Sequence, residues 1–176
     1  MTRLTALVAA VLLAACGSDS PTSPSSTPAS SNPNTITFTS TLLPSNEVPA
    51  VTNADAAGSG TVQVRLNLTR DAGGTITAAT ADFTVSLSGF PPNTNLTGAH
   101  IHPGAAGTTG GVIVNTGLAS GEVVLTTGGQ SFSRTSINVP ASTAQDLVNN
   151  PAGFYFNVHT SLNPGGAVRG QLSRSS

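Results

Sequence analysis

Thr61-Val62-Gln63-Val64-Arg65-Leu66-Asn67-Leu68 decides the fold class. Four aliphatic side chains alternate with four polar ones, and a period of two puts every aliphatic residue on one face of a strand. Asp71-Ala72-Gly73-Gly74 follows as a hairpin turn, since glycine accepts the positive φ such turns need. The chain then returns through Ile76 to Leu87, with Phe83, Val85 and Leu87 on one face. Upstream, Ile36, Phe38, Ser40 and Leu42 alternate with Thr37, Thr39 and Thr41. Downstream, further strands are predicted over 112–115, 122–126 and 132–139, separated by Gly- and Pro-rich turns. Many short strands with turn signals between them specify an all-β sandwich or barrel.

One helix is predicted near 142–149. Ser142-Thr143-Ala144-Gln145 has the form of a capping box, serine at the N-cap and glutamine three residues on. The helix would carry Leu147 and Val148 and stop at Asn150-Pro151. The predicted core is Phe38, Leu42, Val62, Val64, Leu66, Phe83, Val85, Leu87, Ile101, Val112, Val114, Phe154, Phe156, Val158 and Leu172.

All three histidines fall in two of the strands. In Ala99-His100-Ile101-His102, the two imidazoles share a face. In Phe154-Tyr155-Phe156-Asn157-Val158-His159-Thr160, the large apolar residues take one face and Tyr155, Asn157 and His159 the other. If the strands are neighbours, three imidazoles converge on one patch beside Tyr155 and Asn157. Neutral imidazoles with an open fourth position suit a single Zn or Cu ion, with His100, His102 and His159 as the ligands. Each ring would need a carbonyl or carboxylate to orient it, and Glu47, Asp82 and Asn157 are candidates. The alternative is that the histidines bond backbone or one another and fix the loop after His102. Arg169 either pairs with an acid such as Glu47 in the framework, the role favoured for a lone Arg after a Gly-Gly turn, or sits beside the histidines. No nucleophile elbow, phosphate loop or paired acids at a known spacing is present, so no catalytic residue is assigned.

The N-terminus reads as a delivery device. Arg3 and the short apolar run Leu4–Ala15 form a signal peptide over residues 1–15, too short to span a bilayer. Leu13-Ala14-Ala15-Cys16 resembles a bacterial lipobox, which makes Cys16 the acylated N-terminus and a lipid membrane its partner. Cys16 is the single cysteine, so no internal disulfide can form. No Asp follows it, which by resemblance to sorting signals favours the outer membrane or cell surface. Residues 16–34 are the lipidated Cys and a Ser/Pro/Thr-rich tether that cannot bury enough surface to order itself. Residues 17–34 would reach about 55 Å at the polyproline rise. Residues 35–176 are one domain.

The charge balance narrows the partners. Lysine is absent, and loss of Arg3 with the signal leaves five Arg against seven acids. That argues against nucleic acid and anionic lipid. Trp is absent and aromatics are 4% of the chain, which disfavours a glycan site built on stacked rings.

Five segments together resemble a known family: Leu43-Pro44-Ser45-Asn46-Glu47-Val48-Pro49, Gly98–Gly104, Gly110–Val114, Tyr155–Thr160 and Pro164–Leu172. In order and spacing they are similar to the CHRD domain, named for chordin, an extracellular inhibitor of bone morphogenetic proteins. The resemblance implies an extracellular, immunoglobulin-like antiparallel β-sandwich and no established enzyme activity; Glu47 and Arg169 are part of its pattern. The family usually has an acid where this chain has Ala167. Family does not fix function, so growth-factor inhibition is not carried over. The strand His-x-His, the later His and the Gly-rich loop leading to Arg169 are also similar to copper–zinc superoxide dismutase. Three histidines exclude its two-metal centre and leave only a single-metal version. The sequence thus implies an envelope-anchored, non-catalytic binding or structural module with an unidentified extracytoplasmic protein or ligand as partner. The alternative is a mononuclear copper or zinc protein with redox activity.

Overall fold

The structure is a computed structural model that describes Met1 and residues 34–175. The signal peptide, Cys16 and nearly all of the tether lie outside the described residues. Among the described residues, no helix is long and apolar enough to cross a membrane.

Among the described residues, ten strands form two antiparallel sheets. The strands are β1 (Thr35–Leu42), β2 (Ser59–Arg70), β3 (Ile76–Ser88), β4 (Thr94–Pro103), β5 (Val114–Asn115), β6 (Val124–Leu125), β7 (Gln130–Val139), β8 (Phe154–Thr160), β9 (Val168–Gln171) and β10 (Ser173–Arg174). The first sheet runs β10-β1-β2-β3-β7, and the second runs β5-β4-β8-β9 with β6 pairing the start of β4. The architecture is the all-β sandwich expected from the alternation.

Strand β2 is central to the first sheet. Val62, Val64 and Leu66 of β2 lie opposite Val85, Phe83 and Ala81 of β3 and opposite Ser40, Phe38 and Ile36 of β1. Their inward faces meet the second sheet, where Phe83 stacks on Phe156 with ring centroids 5.8 Å apart. Asp71 closes the β2–β3 hairpin by accepting the N–H groups of Gly73 and Thr75 at 2.9 Å. The two sheets are also tied at an edge. Leu43, just after β1, exchanges two backbone hydrogen bonds with Arg169 of β9, at 3.0 and 3.2 Å.

Thirteen of the fifteen expected core residues are buried, and two are not. Val112 is 50% exposed, because the Gly-rich chain before β5 runs outside the sheet and pairing begins only at Val114. Phe154 is partly buried against the core. The strand expected over 122–126 shrinks to Val124–Leu125, since Glu122 closes a turn by accepting the Ala119 N–H at 3.1 Å. The helix α1 (Ala141–Asn149) is present and buries Ala144 and Leu147. The capping box is not formed. Pro140 occupies the N-cap and its carbonyl takes the Ala144 N–H at 2.9 Å. The helix therefore starts ahead of Ser142, and Gln145 turns to Asn149 instead.

Candidate functional site

The second sheet places the polar residues of β4, β8 and β9 side by side. His102 lies opposite Tyr155, His100 opposite Asn157, and Gly98 opposite His159. One strand further on, Tyr155 faces Gln171 and Asn157 faces Arg169. The two histidine strands are therefore neighbours, which meets the condition for the three imidazoles to converge.

Alternation predicts which face these side chains take, but it does not predict that the face is roofed. Tyr155, Asn157, His102, His159 and Arg169 are all buried, and only His100 is half-buried. The roof comes from two loops, β4–β5 and β8–β9, that bond directly to the site residues. Gly110 O accepts from His102, Pro164 O accepts from His159, and Ala105 O accepts from Arg169. The patch is thus an interior cluster rather than a displayed surface.

The carbonyl acceptors fix the tautomers. A carbonyl can only accept, so His102 Nδ1–H donates to Gly110 O and His159 Nδ1–H donates to Pro164 O, both at 2.9 Å. Each ring then carries a bare lone pair on Nε2. The His159 lone pair accepts from His100 Nδ1–H at 3.0 Å. The His102 lone pair, buried, has no protein partner. The orienting groups are therefore backbone carbonyls, and the carboxylates proposed from the sequence do not hold the rings. Asp82 sits on the first sheet, accepting from Ser136 N–H and Asn67 Nδ2. Those bonds hold its carboxyl below the usual range.

One ligand atom from each of the three imidazoles fits in a cluster no wider than 4.8 Å. Burial pushes His100 down to about 4, helped by the charges His159 and His102 would carry. Burial also lowers His159, against the pull of the Pro164 carbonyl, with His102 lowering it further. At neutral pH these two rings are uncharged, the form that ligates metal. Metal–nitrogen bonds of about 2.0–2.1 Å require nitrogens closer together than 4.8 Å. His100 is the ring free to close the gap, having no backbone anchor among its hydrogen bonds. Gly98 gives it room: a Cβ there would stand 2.9 Å from His100 Cε1.

Tyr155 and Arg169 extend the cluster. The Tyr155 ring stacks on His102 at 4.9 Å with an interplanar angle of 4°. The Arg169 guanidinium covers its other face, 3.4 Å from the ring centroid. Arg169 makes no ion pair with Glu47 within salt-bridge distance; the one such pair among the described residues is Arg134–Glu122. Glu47 is nevertheless close enough to feel the guanidinium. Burial raises its carboxyl to about 7, partly offset by the Arg169 charge and by a hydrogen bond from Asn157. Its Oε1 has no protein partner and lies against Gly166, where φ is +137° and a Cβ would sit 2.5 Å from that oxygen. Ala167, where the resemblance leads one to expect an acid, is fully buried in the apolar core.

Other participants leave little trace in the sequence. Asp55, buried beneath the loop, accepts from Thr160 Oγ1 and Asn163 Nδ2, both at 2.6 Å, and so pins the turn that carries Pro164. The ring-holding carbonyls of Gly110 and Pro164 have no side-chain signature at all. Their one advance signal is that each lies in a Gly-rich turn close in sequence to a histidine strand.

The family model of the CHRD domain matches residues 38–172, well over half of the chain. Neither a curated protein nor a solved structure matches.

Proposed function

The chain belongs to the CHRD domain family, and on that premise we propose that it is an envelope-anchored, non-enzymatic binding module whose interior site holds one copper or zinc ion. The observation that carries the metal reading is the pair of histidines held by backbone carbonyls through Nδ1, the His159 Nε2 bonded to His100 and the His102 Nε2 buried without a partner, in a three-imidazole cluster no wider than 4.8 Å. A purely structural cluster has no need to leave the His102 Nε2 buried and without a partner. An ion taken up by His102, His159 and His100 would satisfy that atom and replace the His100–His159 hydrogen bond. The ligand set has an open position, which a solvent or an extracytoplasmic partner group would fill.

Anchoring is the second part of the reading. It rests on Cys16 behind a short apolar run and on the tether of residues 17–34. Labelled fatty acid should enter the wild-type chain and not Cys16→Ser, and that variant should leave the membrane fraction. Equal partitioning of the two would remove the anchor.

Melting in the presence and absence of chelator tests the metal. A metal-loaded protein should melt higher, by an amount that tracks free metal, because the ion binds only the native state. His159→Ala should abolish the difference. Unchanged melting in chelator, after loading with Cu or Zn, would return the histidines to the framework.

A further inference from the structure

We infer that Tyr155, clamped between the Arg169 guanidinium and the His102 imidazole, is the positioning residue that sets the His102 ring for ligation, acting through its ring face and not its hydroxyl. The inference deepens the metal reading above and rests on it.

Three observations carry it. First, the stack is continuous: guanidinium over phenol at 3.4 Å, phenol over imidazole at 4.9 Å and nearly parallel. A single hydrogen bond from His102 Nδ1 leaves the ring free to turn about that bond. A flat aromatic face against it removes that freedom and fixes where Nε2 points. Second, the hydroxyl is engaged away from the cluster. It accepts the Gly110 N–H at 3.4 Å, a long contact to the same residue whose carbonyl holds His102. Tyr155 is therefore not the fourth ligand. Third, the outer half of the clamp is itself held. Arg169 Nη2 donates to Ala105 O at 3.1 Å and to Gln171 Oε1 at 3.3 Å. Gln171 Nε2 in turn donates to Gly104 O and Ala152 O, both at 2.9 Å. A fully buried arginine with no ion pair is costly to keep, and stacking on an aromatic face is a use to which its planar head is suited. The same contacts explain why Arg169 is part of the site although β9 supplies no ligand.

The test uses full-length protein loaded with Cu(II), with two readouts: affinity by chelator competition and the copper EPR spectrum in frozen solution. Tyr155→Phe keeps the ring and loses the hydroxyl. It should keep the wild-type spectrum and an affinity within about twofold, whereas loss of an orienting group typically costs about 10- to 100-fold. Tyr155→Leu should fall in that range and change the spectrum, as the His102 nitrogen moves. Arg169→Lys keeps the charge and removes the planar head, so it should shift the spectrum in the same direction by less. A Tyr155→Phe protein that loses the site, or a folded Tyr155→Leu protein with wild-type spectrum and affinity, overturns the inference. If Tyr155→Leu does not fold, an Arg169→Lys spectrum identical to wild type overturns it instead. Wild-type protein that retains no copper refutes the metal site itself, and that outcome is distinct from the others.

Discussion

The two sheets use the same alternating code and turn it to opposite ends. On the first sheet the outward residues of β2 and β3, such as Thr61, Gln63, Thr84 and Ser86, face solvent. Cross-strand serine pairs lie on this face, Ser86 with Ser131 of β7 at 2.8 Å and Ser59 with Ser88 at 3.2 Å. On the second sheet the outward residues His102, Tyr155, Asn157, His159 and Arg169 are roofed by loops and bonded to loop carbonyls. Alternation therefore tells which face a side chain takes, and only the connections tell whether that face is wet or dry. Placing the polar set under a roof lowers the local dielectric, and that is what shifts His100 down and Glu47 up.

Substitutions on the two sheets should differ in their effects. The largest effect belongs to the core the sheets share. Phe83→Ala, which removes the stack on Phe156, should cost about 3–5 kcal/mol in denaturant unfolding. A loss below about 1 kcal/mol would mean the sheets do not depend on each other there. Next comes metal. With free ion at about 100 times its dissociation constant, loading should add about 2.7 kcal/mol, and His102→Ala should remove it. The roofed face should also be pH-sensitive in a way the open one is not. The Glu47 carboxyl binds its proton more tightly in the folded state, so its contribution is present below about 4.5 and is lost as pH rises through about 7. Glu47→Gln should then be more stable than wild type at pH 8, by on the order of 2 kcal/mol, and similar at pH 4.5. His100 acts with the opposite sign: its folded-state value is depressed, so stability present above 6.5 is lost as pH falls toward 4. Urea melts across pH 4–8 check both arms, and a Glu47→Gln curve parallel to wild type would dismiss the first. The smallest effect is expected on the open face, where Thr84→Ala should stay within about 0.5 kcal/mol.

Much of this was readable from the residues. The β2–β3 hairpin, the two histidine strands and their common face follow from period-two patterns that each strand carries within itself. What the sequence does not encode locally is the roof. Val112 reads as a core residue in a Val-Ile-Val run, yet the Gly-rich loop that delivers the Gly110 carbonyl to His102 leaves it outside. Ser142 reads as a cap, yet Pro140 starts the helix first. Arg169 was expected mainly in the framework. Its burial and loop hydrogen bonds fit that role, while its stack on Tyr155 joins it to the histidines through a contact that no spacing rule foresees. Backbone carbonyls as ring anchors are invisible to any reading of side chains.

Metal binding at the roofed histidines can be followed through the protein's own fluorescence. The chain has one Tyr and no Trp, so its intrinsic emission reports Tyr155 alone. Tyr155 stacks on His102 at 4.9 Å. Protein purified without a polyhistidine tag would be titrated with Cu(II) while tyrosine emission is followed, and bound metal counted by elemental analysis. Quenching should be complete at close to one ion per chain and absent in His102→Ala and His159→Ala. Emission unchanged with no metal retained, or quenching that persists in both variants, would contradict the metal site.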